Sequence, residues 1–247
     1  MKKTLLAVLL GSFALASFAQ PITIEKQGAF SAGGTVIEAK KTFDPYHPEP
    51  DAMTLHGDHA NIIYQIPAHA KPVSLMFLHG AGQSMRTWQT TPDGREGFQS
   101  VFLRKGYPVY LIDQPRRGDA GRATVDGTIK ASPDEQFWFG QFRMGLWPKF
   151  YDNSAFASQK DLNSFWRQMT PNTAPYNDKV IADAVTDALK KTEGTVLVTH
   201  SQGCGPGWLI GTEAGKNLKG IIAFEPGSGF IFPEGKVPAP ISNNSFF

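Results

Sequence analysis

The stretch Gly194-Thr-Val-Leu-Val-Thr-His-Ser-Gln-Gly-Cys-Gly limits the fold more than any other part of the chain. An apolar, β-branched run ends in a serine, and small residues follow at once. A buried strand that turns sharply and then starts a helix needs that order, because a large side chain beside the turn would strike the helix. Gly203 meets the need at the second small position. Thr199 stands at the first, where the G-x-S-x-G pattern has glycine. Ser201 is read as a nucleophile on this elbow; the bland alternative is a helix N-cap, a common post for serine. Cys204 is a thiol nucleophile in principle, but packing at the start of a helix suits it better.

A second strand, Leu75-Met-Phe-Leu, ends in His79-Gly-Ala-Gly. Acyl transfer needs two donors aimed at the developing oxyanion, one from the residue after the nucleophile and one from the loop after such a strand. Here they are the backbone N–H groups of Gln202 and Ala81. A glycine-rich loop taken singly is also no more than a tight turn; two strand-end motifs in this order say more than either.

The surrounding rhythm is α/β. Val73 to Leu78, Val109 to Ile112, Thr195 to Val198 and Ile221 to Phe224 read as buried strands. Glu96 to Lys105, Lys179 to Lys191 and the residues after Ser201 read as helices. The pattern predicts an α/β fold: a mostly parallel sheet with helices on both faces and chemistry just beyond the strands' carboxyl ends. Upstream, Ile22 to Ile37, broken by Gly28 and Gly33-Gly34, predicts a strand pair; residues 42–52 are a Pro-rich connection, and Ala60 to Ile66 is a further strand, so the opening is antiparallel. Residues 131–175 are crowded with aromatics and lack a βαβ pattern. They are read as part of a cap insertion, about 123–176, over the sheet's carboxyl edge, with Trp138, Phe139 and Trp147 as substrate-pocket candidates. A satellite core that merely packs on the main domain is an equal alternative.

Charge excludes other classes. The chain carries 24 basic and 22 acidic residues, net +2, without a run of either sign, so no footprint for nucleic acid stands out and a small, roughly neutral substrate is the default partner. Asp51, His56, Asp58 and His59 are read as a polar loop facing water rather than a metal site. No dinucleotide or phosphate-cradling fingerprint occurs, and no cofactor is expected. Lys2 and Lys3, the apolar run Leu5 to Ala16 and Ser17-Phe18-Ala19 predict a bacterial signal peptide over residues 1–19 and a periplasmic or secreted protein. That run is too short to span a membrane, so no membrane anchor is expected. With Cys204 as the single cysteine, no intramolecular disulfide can form. A homodimer stays open.

From about Ile62 to Pro226 the sequence resembles the α/β-hydrolase superfamily. His79-Gly-Ala-Gly-Gln, Thr90-Thr-Pro-Asp-Gly-Arg, Leu103-Arg-Lys-Gly-Tyr, Ile112-Asp-Gln-Pro-Arg-Arg-Gly and His200-Ser-Gln-Gly look like its esterase 713-like bacterial branch. The resemblance implies one α/β-hydrolase domain over residues 20–247 and an exported esterase with a Ser-His-acid triad. Some members carry a vicinal cysteine pair after His-Gly, where this chain has Ala81-Gly82.

Chain order in such enzymes is serine, acid, histidine. Glu225 ends the strand after the nucleophile strand, before a Pro226-Gly227 turn, and is read as the acid; the resemblance places the acid there too. A solvated glutamate is the alternative reading, and Asp113 is the rival, although its Asp-Gln-Pro-Arg-Arg-Gly setting looks like a structural turn. No histidine follows Glu225. His200 is read as a cleft-lining or packing residue, His79 as bonded within its own loop, and the sequence as a fragment or truncated frame whose sheet is incomplete. The function expected is hydrolysis of carboxylic esters. An amidase, thioesterase or carbon-carbon hydrolase of the same fold shares every residue named, and an inactive or apolar-ligand-binding exported fragment is the non-enzymatic alternative.

Overall fold

The computed structural model describes residues 21–156 and 158–227. The leader read over residues 1–19 and the tail after Gly227 lie outside the described residues. Within them, the strands β1 (Ile24–Ala32), β4 (Ala60–Pro67), β5 (Ser74–Leu78), β6 (Val109–Asp113), β9 (Thr195–His200) and β10 (Leu218–Phe224) form one sheet. Its order is β1-β4-β6-β5-β9-β10, antiparallel up to β6 and parallel from there on. The fold is α/β with a mainly parallel sheet, as the alternation of runs predicts.

Strand β5 shows why its sequence is apolar at four consecutive residues. All five of its residues are buried, because both faces of the sheet are covered. Successive side chains point to opposite faces. Met76 and Leu78 pack in a core with Ile181, Val185 and Leu189 of α4 (Asp178–Leu189) and Ile210 of α5 (Cys204–Glu213). Leu75 and Phe77 pack on the other side with Leu103 of α1 (Phe98–Arg104) and with Trp88. Burying each such side chain stabilises the fold by about 1.5–3 kcal/mol. Helix α4 starts where Asn177 accepts a hydrogen bond from the Val180 N–H at 3.0 Å.

Three local expectations are corrected. Gly28 does not break a strand: β1 runs through it, and a Cβ there would lie 2.9 Å from the Tyr64 hydroxyl, so glycine makes room for a ring on β4. Nor do the two opening strands pair with each other. Strand β1 pairs with β4, and β2 (Thr35–Ile37) pairs with β3 (Leu55–Gly57) in a separate ribbon. Finally, Asp58 does not face water. Buried, it takes Arg116 Nε on Oδ1 at 2.7 Å and Nη2 on Oδ2 at 2.9 Å, a two-pronged ion pair that ties the turn before β4 to the loop after β6.

The aromatic segment forms α2 (Glu135–Gln141), the short ribbon β7 (Gly145–Leu146) with β8 (Lys149–Phe150), and α3 (Gln159–Trp166). It has a small core of its own, Phe139, Met144 and Leu162, ringed by Phe150, Phe156, Phe165 and Trp166. It also touches three loops at the carboxyl edge of the sheet. The Thr170 N–H donates to the Gly82 carbonyl at 2.8 Å, Asn172 meets Arg117, and Arg143 meets Glu225.

Candidate active site

The site is built from the ends of β5, β9 and β10, which lie side by side. β9 delivers Ser201 into a left-handed backbone conformation with φ +50°, the strained geometry that non-glycine residues rarely adopt. A 3-10 turn over Ser201–Gly203 then leads into α5. Gly203 is fixed by space, since a Cβ on it would stand 2.4 Å from the His79 carbonyl oxygen. The threonine at the other small position is accommodated elsewhere. Thr199 Oγ1 lies 3.1 Å from Cys204 Sγ, and its methyl fills the room left by Gly207, where a Cβ would stand 2.9 Å away. Burial pushes the Cys204 thiol up from its ordinary value, against the smaller effect of the Thr199 bond, so it stays protonated and packs.

The loop after β5 comes against the elbow. A Cβ on Gly80 would lie 3.0 Å from Ser201 Cβ. The Gly80 N–H donates to Gln83 Oε1 at 2.9 Å, and the same oxygen accepts from His200 Nδ1 at 3.0 Å. His79 is fully buried: Nδ1–H donates to the Gly80 carbonyl at 3.1 Å, and Nε2 accepts from the Gln114 N–H at 3.5 Å. Burial, then the nearby Arg117 charge, holds its imidazole down at about 3. Burial also lowers His200, with Glu225 opposing. Among the described residues neither ring is hydrogen-bonded to Ser201. Ala81 is exposed at the tip of this loop, and Gln202 is half-buried beside Ser201.

Glu225 follows β10, whose Phe224 is in register with His200 of β9. Its own φ is +42°, and its exposed carboxylate accepts from Arg143 Nη2 of the cap at 3.1 Å. The rival Asp113 is a turn-builder. It is buried, accepting the Met85 N–H at 2.7 Å and the Asp119 N–H at 2.8 Å, and a Cβ on Gly118 would collide with it. Burial raises its carboxyl above the ordinary range.

Of the pocket candidates, Phe139 is corrected. It is wholly buried in the cap's own core, edge-on to Trp147 at 5.3 Å and Phe150 at 5.2 Å, and has no face left for a ligand. Trp147 is half exposed; Trp138 stacks on Phe142 and donates its indole N–H to Asp134. A small crevice next to the loop after β5 is lined by Gly82, Gln83, Thr87, Phe165 and Met169. Gly227 is the residue that sequence reading treated only as a turn. Its N–H donates to the Ser201 carbonyl at 3.1 Å, and a Cβ on it would sit 3.1 Å from Ser201 Oγ, so its bare α-carbon keeps the hydroxyl approachable. The Pro-Gly pair after Glu225 was the available signal.

Residues 75–245 match the model of the Alpha/beta hydrolase family. A solved structure described as a novel bacterial esterase superposes with a TM-score of 0.73 at 29% identity, covering 85% of this chain and 71% of that one. A fungal protein named "Probable secreted lipase phiG" (Fungal sp., strain ATCC 74256) is 32% identical over 165 residues, 63% of this chain. This chain covers 45% of that relative's length.

Proposed function

This chain belongs to the alpha/beta hydrolase family, and from that premise we propose that it is an exported serine hydrolase of carboxylic esters. The observation that carries the reading is Ser201 at φ +50° on the β9–α5 elbow, with the bare α-carbon of Gly227 beside its hydroxyl. A hydroxyl held on a strained turn at the carboxyl edge of a parallel sheet stands clear of its own backbone and can meet a carbonyl carbon. In this proposal Ser201 Oγ attacks the ester carbonyl. The N–H groups of Ala81 and Gln202 receive the oxyanion, which gains most from donors fixed in place before charge develops. Glu225, beside the nucleophile strand, is the acid that would orient an imidazole base. The aromatic cap favours esters with an apolar acyl or alcohol group. Export is proposed from the Lys2-Lys3 and Leu5 to Ala16 pattern, and the naming of the fungal relative as a probable secreted lipase agrees with it.

The test is hydrolysis of p-nitrophenyl esters of graded chain length by the purified protein. Ser201→Ala is expected to abolish whatever hydrolysis the wild-type chain supports beyond the residual contribution of the oxyanion donors. Activity that survives this substitution overturns the proposal.

A further inference from the structure

The largest fully buried side chain near the site is a cation, and the reaction as proposed gives it no task. Arg117 is 2% exposed. Its Nη1 donates to the Gly80 carbonyl at 2.7 Å, Nε and Nη2 donate to Asn172 Oδ1 at 2.7 and 2.5 Å, and Nη2 lies 3.4 Å from Gln202 Oε1. Among the described residues no carboxylate hydrogen-bonds to it. The Asp113 carboxylate acts on it through space without bonding to it, and taking a charge out of water without a bonded counter-ion costs several kcal/mol, so an apolar side chain would fill the space at lower cost. What the guanidinium supplies is direction.

The peptide that joins Gly80 to Ala81 is planar and trans, so its C=O and N–H point in opposite directions. Whatever holds the Gly80 oxygen therefore aims the Ala81 N–H. That oxygen is held three times: by Arg117 Nη1, by His79 Nδ1–H and by the Gln83 N–H at 3.3 Å. Arg117 and His79 are buried and draw it inward, whereas Ala81 is exposed and Gly80 abuts Ser201. The same guanidinium reaches the side chain of Gln202, the residue that carries the second proposed donor, and through Asn172 it is tied to the root of the cap.

We propose that Arg117 is the positioning residue of the oxyanion hole: by fixing the Gly80 carbonyl it sets the Ala81 N–H toward Ser201. This rests on the serine-hydrolase reading. Arg117 touches no substrate; it works through the peptide. A cation on the carbonyl also draws electron density from the N–H on the far side of the same peptide, which strengthens that donor toward an anion. Burial brings the guanidinium down to about 10, so it keeps its proton at neutral pH.

The test follows formation of the Ser201 adduct with a fluorophosphonate, whose P=O group occupies the oxyanion position, by mass spectrometry of the purified full chain. Varying the probe concentration separates kinact from KI. Arg117→Met, which keeps an unbranched apolar stem and loses every donor, is expected to lower kinact about a hundredfold, the scale of one misplaced oxyanion donor, with KI within twofold. Arg117→Lys, which keeps one donor for the Gly80 oxygen, is expected to recover at least tenfold of that loss. A folded Arg117→Met with kinact within threefold of wild type overturns the inference, as does a change confined to KI or a lysine variant no better than methionine. If Arg117→Met does not melt cooperatively, Asn172→Ala decides in its place. A kinact drop of about tenfold at unchanged KI supports the inference, and no drop overturns it. Ser201→Ala separates the two failures: adduct formation that survives it sinks the serine reading and the inference together, whereas labelling that needs Ser201 but is indifferent to Arg117 sinks the inference alone.

Discussion

Ser201, Thr199 and Gly207 form one unit in which a departure from the expected residue type at position 199 is compensated eight residues further along the chain. The elbow pattern asks for a small residue two before the serine, and the chain has threonine there. The fold tolerates it because α5 has glycine at 207, one turn into the helix, under the Thr199 methyl. Alanine in a helix interior is ordinarily favoured over glycine by about 1 kcal/mol. Here the added Cβ would stand 2.9 Å from Thr199 Cγ2, closer than such atoms approach. Gly207→Ala is therefore expected to destabilise the protein by about 1–3 kcal/mol, the usual cost of overpacking. In a Thr199→Ser background, which removes the methyl and keeps the hydroxyl beside Cys204, the same substitution is expected to be neutral or stabilising. Urea unfolding of the four proteins measures the cycle. An equal loss in both backgrounds would mean that the threonine methyl is not what Gly207 makes room for.

At the scale of elements, the legible parts were those whose cause is local. The β5 and β9 runs, helix α4 and the strand-serine-helix elbow are visible because burial on both sheet faces, helical spacing and the sterics of a sharp turn all act within a dozen residues. Gly28 misled because the ring that needs its space, Tyr64, lies on another strand. Asp58 and Arg117 were missed for the same reason: the partners of Asp58 and Arg117 are Arg116 and Gly80, and only the sheet brings them together. The cap was legible as an aromatic segment but not in its facing, since no pattern in α2 or α3 says which rings turn inward. Phe139 turns inward. Phe139→Ala is accordingly expected to cost about 3–5 kcal/mol, the scale of deleting a buried phenylalanine, and to speed proteolytic cleavage within residues 123–176. A ligand-lining residue would behave otherwise. If the variant keeps wild-type stability and protease resistance while its preference for ester chain length shifts, Phe139 lines the cleft after all.

The whole molecule carries two buried arrangements that respond to acid in separate windows. His79 is held neutral down to about 3 by burial, whereas an unfolded histidine gains its proton near 6.5. Below about pH 6.5 the unfolded chain thus binds a proton that the folded chain refuses, and stability falls as pH falls, by about 1.4 kcal/mol per pH unit for each such group. His200, lowered in the same direction by burial, adds to this limb. Asp58 acts lower down. Arg116 holds its carboxyl at about 2, below the ordinary value of 3.8, so the stabilisation it gives is complete above about pH 4 and disappears as pH drops through 2. Asp113 opposes it: burial raises that carboxyl, so protonating it on the way down favours the folded state. Urea unfolding between pH 7 and pH 2 separates these contributions. His79→Gln is expected to lower by about one the number of protons taken up on unfolding at pH 5. Asp58→Asn, which leaves Arg116 buried without its counter-charge, is expected to cost about 3–5 kcal/mol at pH 7. It should leave the slope at pH 5 unchanged, and its deficit relative to wild type should shrink only below about pH 4. A deficit that instead closes between pH 6.5 and 4 would assign the acid limb to some group other than this ion pair.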